Sequence, residues 1–150
     1  MSIFPTKILL ATDGSTEAEL ARITAIDLAE STNSELHVVT VAPGYPSYDV
    51  LNPLVVEELR EQAENILNDQ AAKIEQEGGQ VAEKHLRIAE RYRAQQLVRV
   101  AEDIGSGLIV MGSRGLGGVR RALMGSVSDS VVRHAHCPVL VVRPEKEQEA

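Results

Sequence analysis

Between Gly112 and Ser128 the sequence reads GSRGLGGVRRALMGSVS, with five glycines, three arginines and no Asp or Glu, in a chain whose formal net charge is −7. That composition suits an anion. Glycine lets the main chain come close to oxygen atoms, and converging backbone amides form concave anion sites. Gly125-Ser126-Val127-Ser128 stands where helical periodicity begins, and the first turn of a helix presents unpaired N–H groups at its positive end. The amides of this segment and the hydroxyls of Ser126 and Ser128 are therefore expected to face a phosphate. Arg114, Arg120 and Arg121 either join them or contact only water, and the residue types leave both readings open. Two other phosphate motifs do not fit. A Walker A loop needs Gly-Lys-Ser/Thr, and no lysine occurs from residue 85 to residue 145. Gly115-Leu116-Gly117 begins like a dinucleotide fingerprint, but Arg120 stands where its third glycine belongs.

The elements that must position this stretch follow from hydrophobic periodicity. KILLAT at 7–12 reads as a strand, and Asp13-Gly14-Ser15-Thr16 as a turn into a helix. In that helix Thr16 and Glu19 match a capping box, and Ala18, Ala21, Ala25, Leu28 and Ala29 form an apolar stripe to about residue 31. A second strand is predicted at 35–41, followed by a Pro/Gly-containing loop at 43–53 that holds Tyr45 and Tyr48. A long helix from about residue 55 should end at Gly78-Gly79. A weaker strand at 81–88, a helix at 94–104, the apolar run LIVM at 108–111, a helix at 126–134 and a last strand at 138–143 complete the pattern. The charged tail at 144–150 is expected to fray. Strands alternating with helices imply parallel pairing through right-handed crossovers, hence one doubly wound α/β domain with helices on both faces of the sheet. In such sheets ligands lie beyond the carboxyl ends of the strands, where the winding reverses. Ala11-Thr12-Asp13 and the glycine-rich stretch are then the two loops to consider, although Asp13-Gly14 is also a common turn pair.

Bulk properties narrow the function classes. With 150 residues, 43% hydrophobic and 25% charged, the composition is that of an ordinary globular domain. An acidic chain repels nucleic acid and anionic lipid, so neither is expected as a partner. The apolar runs are far shorter than the roughly 20 residues of a membrane span, and the amino-terminal residues do not read as a signal peptide. One cysteine, Cys137, agrees with a reducing compartment, and the expected location is the cytoplasm. His134, His136 and Cys137 are too few for a structural zinc site, Cys137 reads as a small buried residue at a strand entrance, and no metal-ligating set is expected. Neither His37 nor His85 has a sequence-evident partner, and no nucleophile-and-base pattern marks a catalytic residue.

The spacing Gly112-x2-Gly115-x9-Gly125-Ser126, with Ala11-Thr12-Asp13 after the first strand and HCPVLVVR near the carboxyl end, resembles the ATP-binding branch of the universal stress protein family. The resemblance runs from Lys7 to Arg143. It implies a Rossmann-like five-stranded parallel sheet that binds ATP, or AMP or ADP, with Mg²⁺ bridging phosphate oxygens. It also implies that Ala11, Thr12 and Asp13 contact the adenosine and that Val41 packs on the base. Gly112, Arg114 and Gly115 would lie beside ribose and phosphates, and Gly125, Ser126, Val127 and Ser128 would bind the phosphate chain. A homodimer is implied through the 138–143 strand, whose open edge would otherwise invite another chain. The implied role is a nucleotide-dependent sensor or regulator, with a slow ATP hydrolase or phosphotransferase and a nucleotide-free dimeric interaction module as alternatives. Two positions depart from the family pattern. Arg91-Tyr92-Arg93 replaces Gly-x-Pro, and Gly107 stands where aspartate is frequent.

Overall fold

The computed structural model describes residues 2–43, 53–113 and 125–143. Along the chain run β1 (Lys7–Ala11), α1 (Thr16–Thr32), β2 (Glu35–Ala42), α2 (Pro53–Gln76), β3 (Val81–Ile88), α3 (Arg93–Ile104), β4 (Leu108–Gly112), α4 (Ser126–His134) and β5 (Val139–Val142). The five strands form one parallel sheet in the order β3-β2-β1-β4-β5, the doubly wound arrangement that the alternating pattern implies.

Alternation along β1 separates two cores. Ile8 and Leu10 pack with Leu36, Val38, Leu108 and Val110 beneath Ala21, Ala25 and Ile26 of α1 and Leu67 and Ile74 of α2. Leu9 and Ala11 pack with Val39, Ile109 and Met111 beneath Ala94, Leu97, Val100 and Ala101 of α3 and Val131 of α4. Each face thus carries two helices. The central strand β1 is buried on both sides, which explains its near-continuous apolar run.

Several boundaries move by a residue or two. The cap of α1 is Ser15, whose side chain accepts the Ala18 amide at 3.2 Å, so the expected Thr16–Glu19 capping box is corrected. Ser15 wins because its backbone is extended at ψ 166°, as a cap requires, while Thr16 is already helical. The last strand is shorter than 138–143, and α2 ends before Gly78, where φ of 92° favours glycine. Between α1 and α2 the buried Arg22 donates to Glu77 at 2.9 and 3.1 Å and to Gln70 at 2.9 Å.

Strand β3 contains an irregularity. Leu36 is level with Val81 but His37 is level with Glu83, so Ala82 is an extra residue in β3. A bulge reverses the side-to-side phase of everything beyond it. Val81 and Leu86, out of phase for a regular strand, therefore pack against the same core.

Candidate functional site

The winding reverses between β1, which leads to β2 and β3 on one side, and β4, which leads to β5 on the other. Register holds Leu10 level with Val110 and with Val38, so the carboxyl ends of β1, β2 and β4 lie along one border of the sheet. That crevice is where a ligand of such a fold is expected.

Its β1 side is a tight turn. The Thr12 amide donates to the Val39 carbonyl at 3.0 Å, and the Thr12 carbonyl accepts from Thr40 Oγ1 at 3.1 Å. Thr12 is thereby locked to β2. The Asp13 carboxylate accepts the Ser15 amide at 2.9 Å, so the turn-forming reading of Asp13 is realised, and Asp13 itself stays half-buried. Ala11 and Val41 both border the core beneath α3 and α4.

Its β4 side is organised by Ser113, which the sequence reading did not single out. Ser113 is buried. Its amide donates to Val142 of β5 at 2.9 Å, its hydroxyl donates to Glu17 Oε2 of α1 at 2.7 Å, and its carbonyl accepts from the Gly125 amide and the Ser128 hydroxyl, both at 2.6 Å. One residue thus ties the start of α4 to β5 and to the first turn of α1. Gly112 beside it permits that approach, because a Cβ there would stand 3.0 to 3.2 Å from the Cβ, C and O atoms of Glu17. The signal was its place directly after the strand-ending glycine.

Two expectations about α4 are corrected accordingly. The Gly125 amide and the Ser128 hydroxyl do not face an anion, since both donate to the Ser113 carbonyl. A buried carbonyl needs partners, and these two groups supply them. Gly125 caps α4 in extended conformation with no side-chain cap, and its carbonyl accepts from the Asp129 amide at 3.0 Å, the first intrahelical donor, and from the Ser128 hydroxyl at 3.1 Å. The amides of Ser126, Val127 and Ser128 consequently have no acceptor within the helix. Ser126 is exposed and Val127 half-buried. Arg114, Gly115, Arg120, Arg121, Tyr45, Tyr48 and the tail at 144–150 lie outside the described residues.

The positions that depart from the resemblance also have a local setting. A Cβ at Gly107 would run into the Thr6 side chain, so this chain has filled that space from another strand end. Tyr92 stands at the N-cap position of α3 with an extended backbone, makes no side-chain cap hydrogen bond and is exposed.

Away from the crevice, Cys137 is half-buried rather than buried, with Sγ 3.9 Å from Ser106 Oγ, and burial pushes its thiol pKa up. His134 and His136 are exposed. The two remaining histidines, His37 and His85, are buried side by side, a pairing that sequence reading missed. Burial lowers the His85 pKa, Glu83 opposes that shift, and His37 and Arg87 add to it.

Strand order and parallel pairing together define a doubly wound α/β protein. The chain belongs to the universal stress protein family, whose sequence profile matches residues 5–143. A Staphylococcus haemolyticus protein named for the same family is 36% identical over 141 residues, spanning 93% of this chain and 85% of the relative. Among solved structures, the hypothetical protein MJ0577 superposes with a TM-score of 0.82 at 26% identity, covering 97% of this chain and all of the other. A universal stress protein from Archaeoglobus fulgidus in complex with dAMP superposes with a TM-score of 0.68 at 23% identity, covering 94% and 99% of the two chains. No helix among the described residues is long and apolar enough to cross a membrane.

Proposed function

We propose that this protein binds an adenine nucleotide, ATP or AMP or ADP, in the switch-point crevice and works as a nucleotide-dependent regulator rather than as an enzyme. The observation that carries the reading is the start of α4, where three amides without helical acceptors are anchored through Ser113 to the first turn of α1. Such a helix opening holds phosphate oxygens. The base then rests near Ala11 and Val41, with Thr12 and Asp13 lining the turn beside the ribose. A fold neighbour in complex with dAMP supports the ligand class.

Mg²⁺ fits as the companion of a polyphosphate, because it keeps several waters and is held largely by phosphate oxygens. The acidic residue in the first turn of α4, Asp129, pairs with Arg133 at 3.0 Å, so the protein adds little to that coordination. The same reading includes a cytoplasmic homodimer. Leu140 of β5 and Val132 of α4 are exposed apolar residues at the edge where a second copy would pair through residues 138–143.

Calorimetric titration of ATP and AMP with Mg²⁺ tests the binding. Ser126→Asp is the informative variant, since an acid in the first turn favours the helix while repelling phosphate. Affinity should fall at least about tenfold, the equivalent of one lost charge-assisted hydrogen bond, with thermal stability kept or raised. Absence of binding by the unmodified protein would falsify the proposal. Steady ADP release above the Ser126→Asp background would instead make the protein a slow hydrolase. Leu140→Lys should shift the sedimenting species toward monomer.

A further inference from the structure

On the sheet face beneath α3, at the amino-terminal half of β2 and β3, four polar residues stand in a row: Glu35, His37, His85 and Glu83. His37 Nδ1 is 3.2 Å from His85 Nε2, Glu35 Oε2 is 3.3 Å from His37 Nε2, and Glu83 Oε2 is 3.9 Å from His85 Nε2. The imidazoles are 6% and 8% exposed and the two carboxylates 59% and 64% exposed, so a buried pair of nitrogens is fringed by solvent-reaching acids. His37, His85 and Glu83 each bring one ligand atom within 4.8 Å of the others, the one such group among the described residues.

We propose that His37 Nδ1, His85 Nε2 and the Glu83 carboxylate form a binding site for Zn²⁺, with water in the fourth position. Two imidazole nitrogens about 2.0–2.1 Å from one tetrahedral zinc ion lie about 3.3 Å apart, close to the separation seen here, and the two nearly parallel rings, with centroids 5.4 Å apart, need only turn so that their lone pairs converge beside the line joining the nitrogens. The Glu83 oxygen, 3.9 Å from His85 Nε2 and within 4.8 Å of the other ligand atoms, must move inward toward both nitrogens to complete the same geometry, and its exposed side chain has room to do so. Nitrogen with carboxylate oxygen is a donor set for zinc rather than for calcium or magnesium, which take oxygen alone.

The proton inventory agrees. A carboxylate only accepts, so the hydrogen bond to Glu35 places a proton on His37 Nε2 and leaves the Nδ1 lone pair directed at His85. A carboxylate behind a ligating imidazole fixes ring orientation and raises ligand basicity in the same way. In the metal-free protein the proton between the rings belongs to His85 Nε2. On binding, that proton moves to His85 Nδ1, the ring stays neutral, and both facing nitrogens present lone pairs.

The bulge at Ala82 is the second, independent observation. Continued regularly from Val81, β3 would send Glu83 and His85 to the α2 side, away from His37. The extra residue returns them to the His37 side, and bulges that re-aim side chains gather beside functional sites.

The test titrates ZnCl₂ into the nucleotide-free, full-length ¹⁵N-labelled protein, read by calorimetry and by long-range ¹H–¹⁵N spectra of the imidazoles. About one zinc per chain is expected, with both His37 and His85 ring nitrogens shifted and His134 and His136 unmoved. Glu83→Gln should weaken binding at least about tenfold, and Glu35→Gln about 10- to 100-fold, the loss that follows when the carboxylate behind a ligating histidine is removed. Both altered side chains are exposed, so the variants keep the fold, and circular dichroism checks it. Replacing His134 and His136 together by alanine should leave the affinity unchanged. No zinc uptake, uptake that shifts His134, His136 or Cys137 signals in place of the buried pair, or an affinity indifferent to Glu83→Gln would each overturn the site. The nucleotide crevice plays no part in the outcome.

Discussion

The switch-point crevice and the imidazole row beneath α3 occupy the same parallel sheet and are made of opposite materials. At the crevice the main chain does the chemistry, through the amides that open α4, the carbonyl of Ser113 and the bare backbone of Gly112. In the imidazole row the side chains do it, and the backbone contributes only one extra residue that changes their phase. A backbone site depends on how closely segments approach, whereas a side-chain site depends on which way residues point. Substitutions should therefore injure the two regions in different ways.

The largest expected effect is at the crevice. Gly112→Val forces branched carbons into the backbone of Glu17, and destabilisation of about 3 kcal/mol is expected, at the upper end of overpacking costs. Nucleotide affinity should be lost with it, while zinc uptake per folded molecule persists. Denaturant unfolding together with the two titrations would separate the regions, and equal loss of both ligands would erase the distinction.

Next in size is a control remote from both regions. Arg22, buried between α1 and α2, holds the Glu77 carboxyl below the usual carboxylate range by hydrogen bonding, with burial opposing and charge attraction from Arg22 and Lys73 assisting. A carboxyl depressed in the folded state stabilises above its ordinary pKa, and that contribution disappears as pH falls through the folded value. Glu77→Gln should cost about 1–1.5 kcal/mol near neutrality, water screening the half-exposed carboxylate, and flatten the acid side of the stability curve below about pH 4, leaving both ligands alone. A pH profile identical to that of the unmodified protein would contradict the assignment.

Smaller still is Ser128→Ala, which removes the hydroxyl donor to the Ser113 carbonyl. It should lower stability by about 1 kcal/mol and loosen the α4 start, with a modest drop in nucleotide affinity. Deleting Ala82 should have the smallest effect, within about 0.5 kcal/mol, because Val81 then pairs opposite Leu36 and Glu83 opposite His37 without interruption. Zinc binding should survive the deletion. Its loss would mean that the bulge does more than correct phase.

Much of the crevice was legible in the sequence. Glycine at 112 and 125, serines at 126 and 128 and the Thr12-Asp13 turn announce backbone chemistry at element ends, where residue type and position are nearly the same information. What failed there was direction. Residue types do not reveal that the Gly125 amide and the Ser128 hydroxyl turn inward to Ser113, since that choice depends on a carbonyl brought close only when α4 packs beside α3 and β5. The Thr16–Glu19 capping box failed similarly, because Ser15 alone had the extended backbone of a cap.

The amino-acid order by itself determined the alternation of five strands with four helices, the burial of β1 on both faces and the stretch at which amides would be left unpaired. Those features follow from local periodicity and from the conformational range of single residues. Tertiary structure alone decided that His37 meets His85. The two are 48 positions apart, on strands whose pairing is set by the packing of two separate cores, and the bulge that aligns them is visible in the sequence only as Val81 and Leu86 falling out of step. Long-range register is a property of the assembled sheet, because each strand gains its hydrogen bonds and its buried face only once its neighbour is in place.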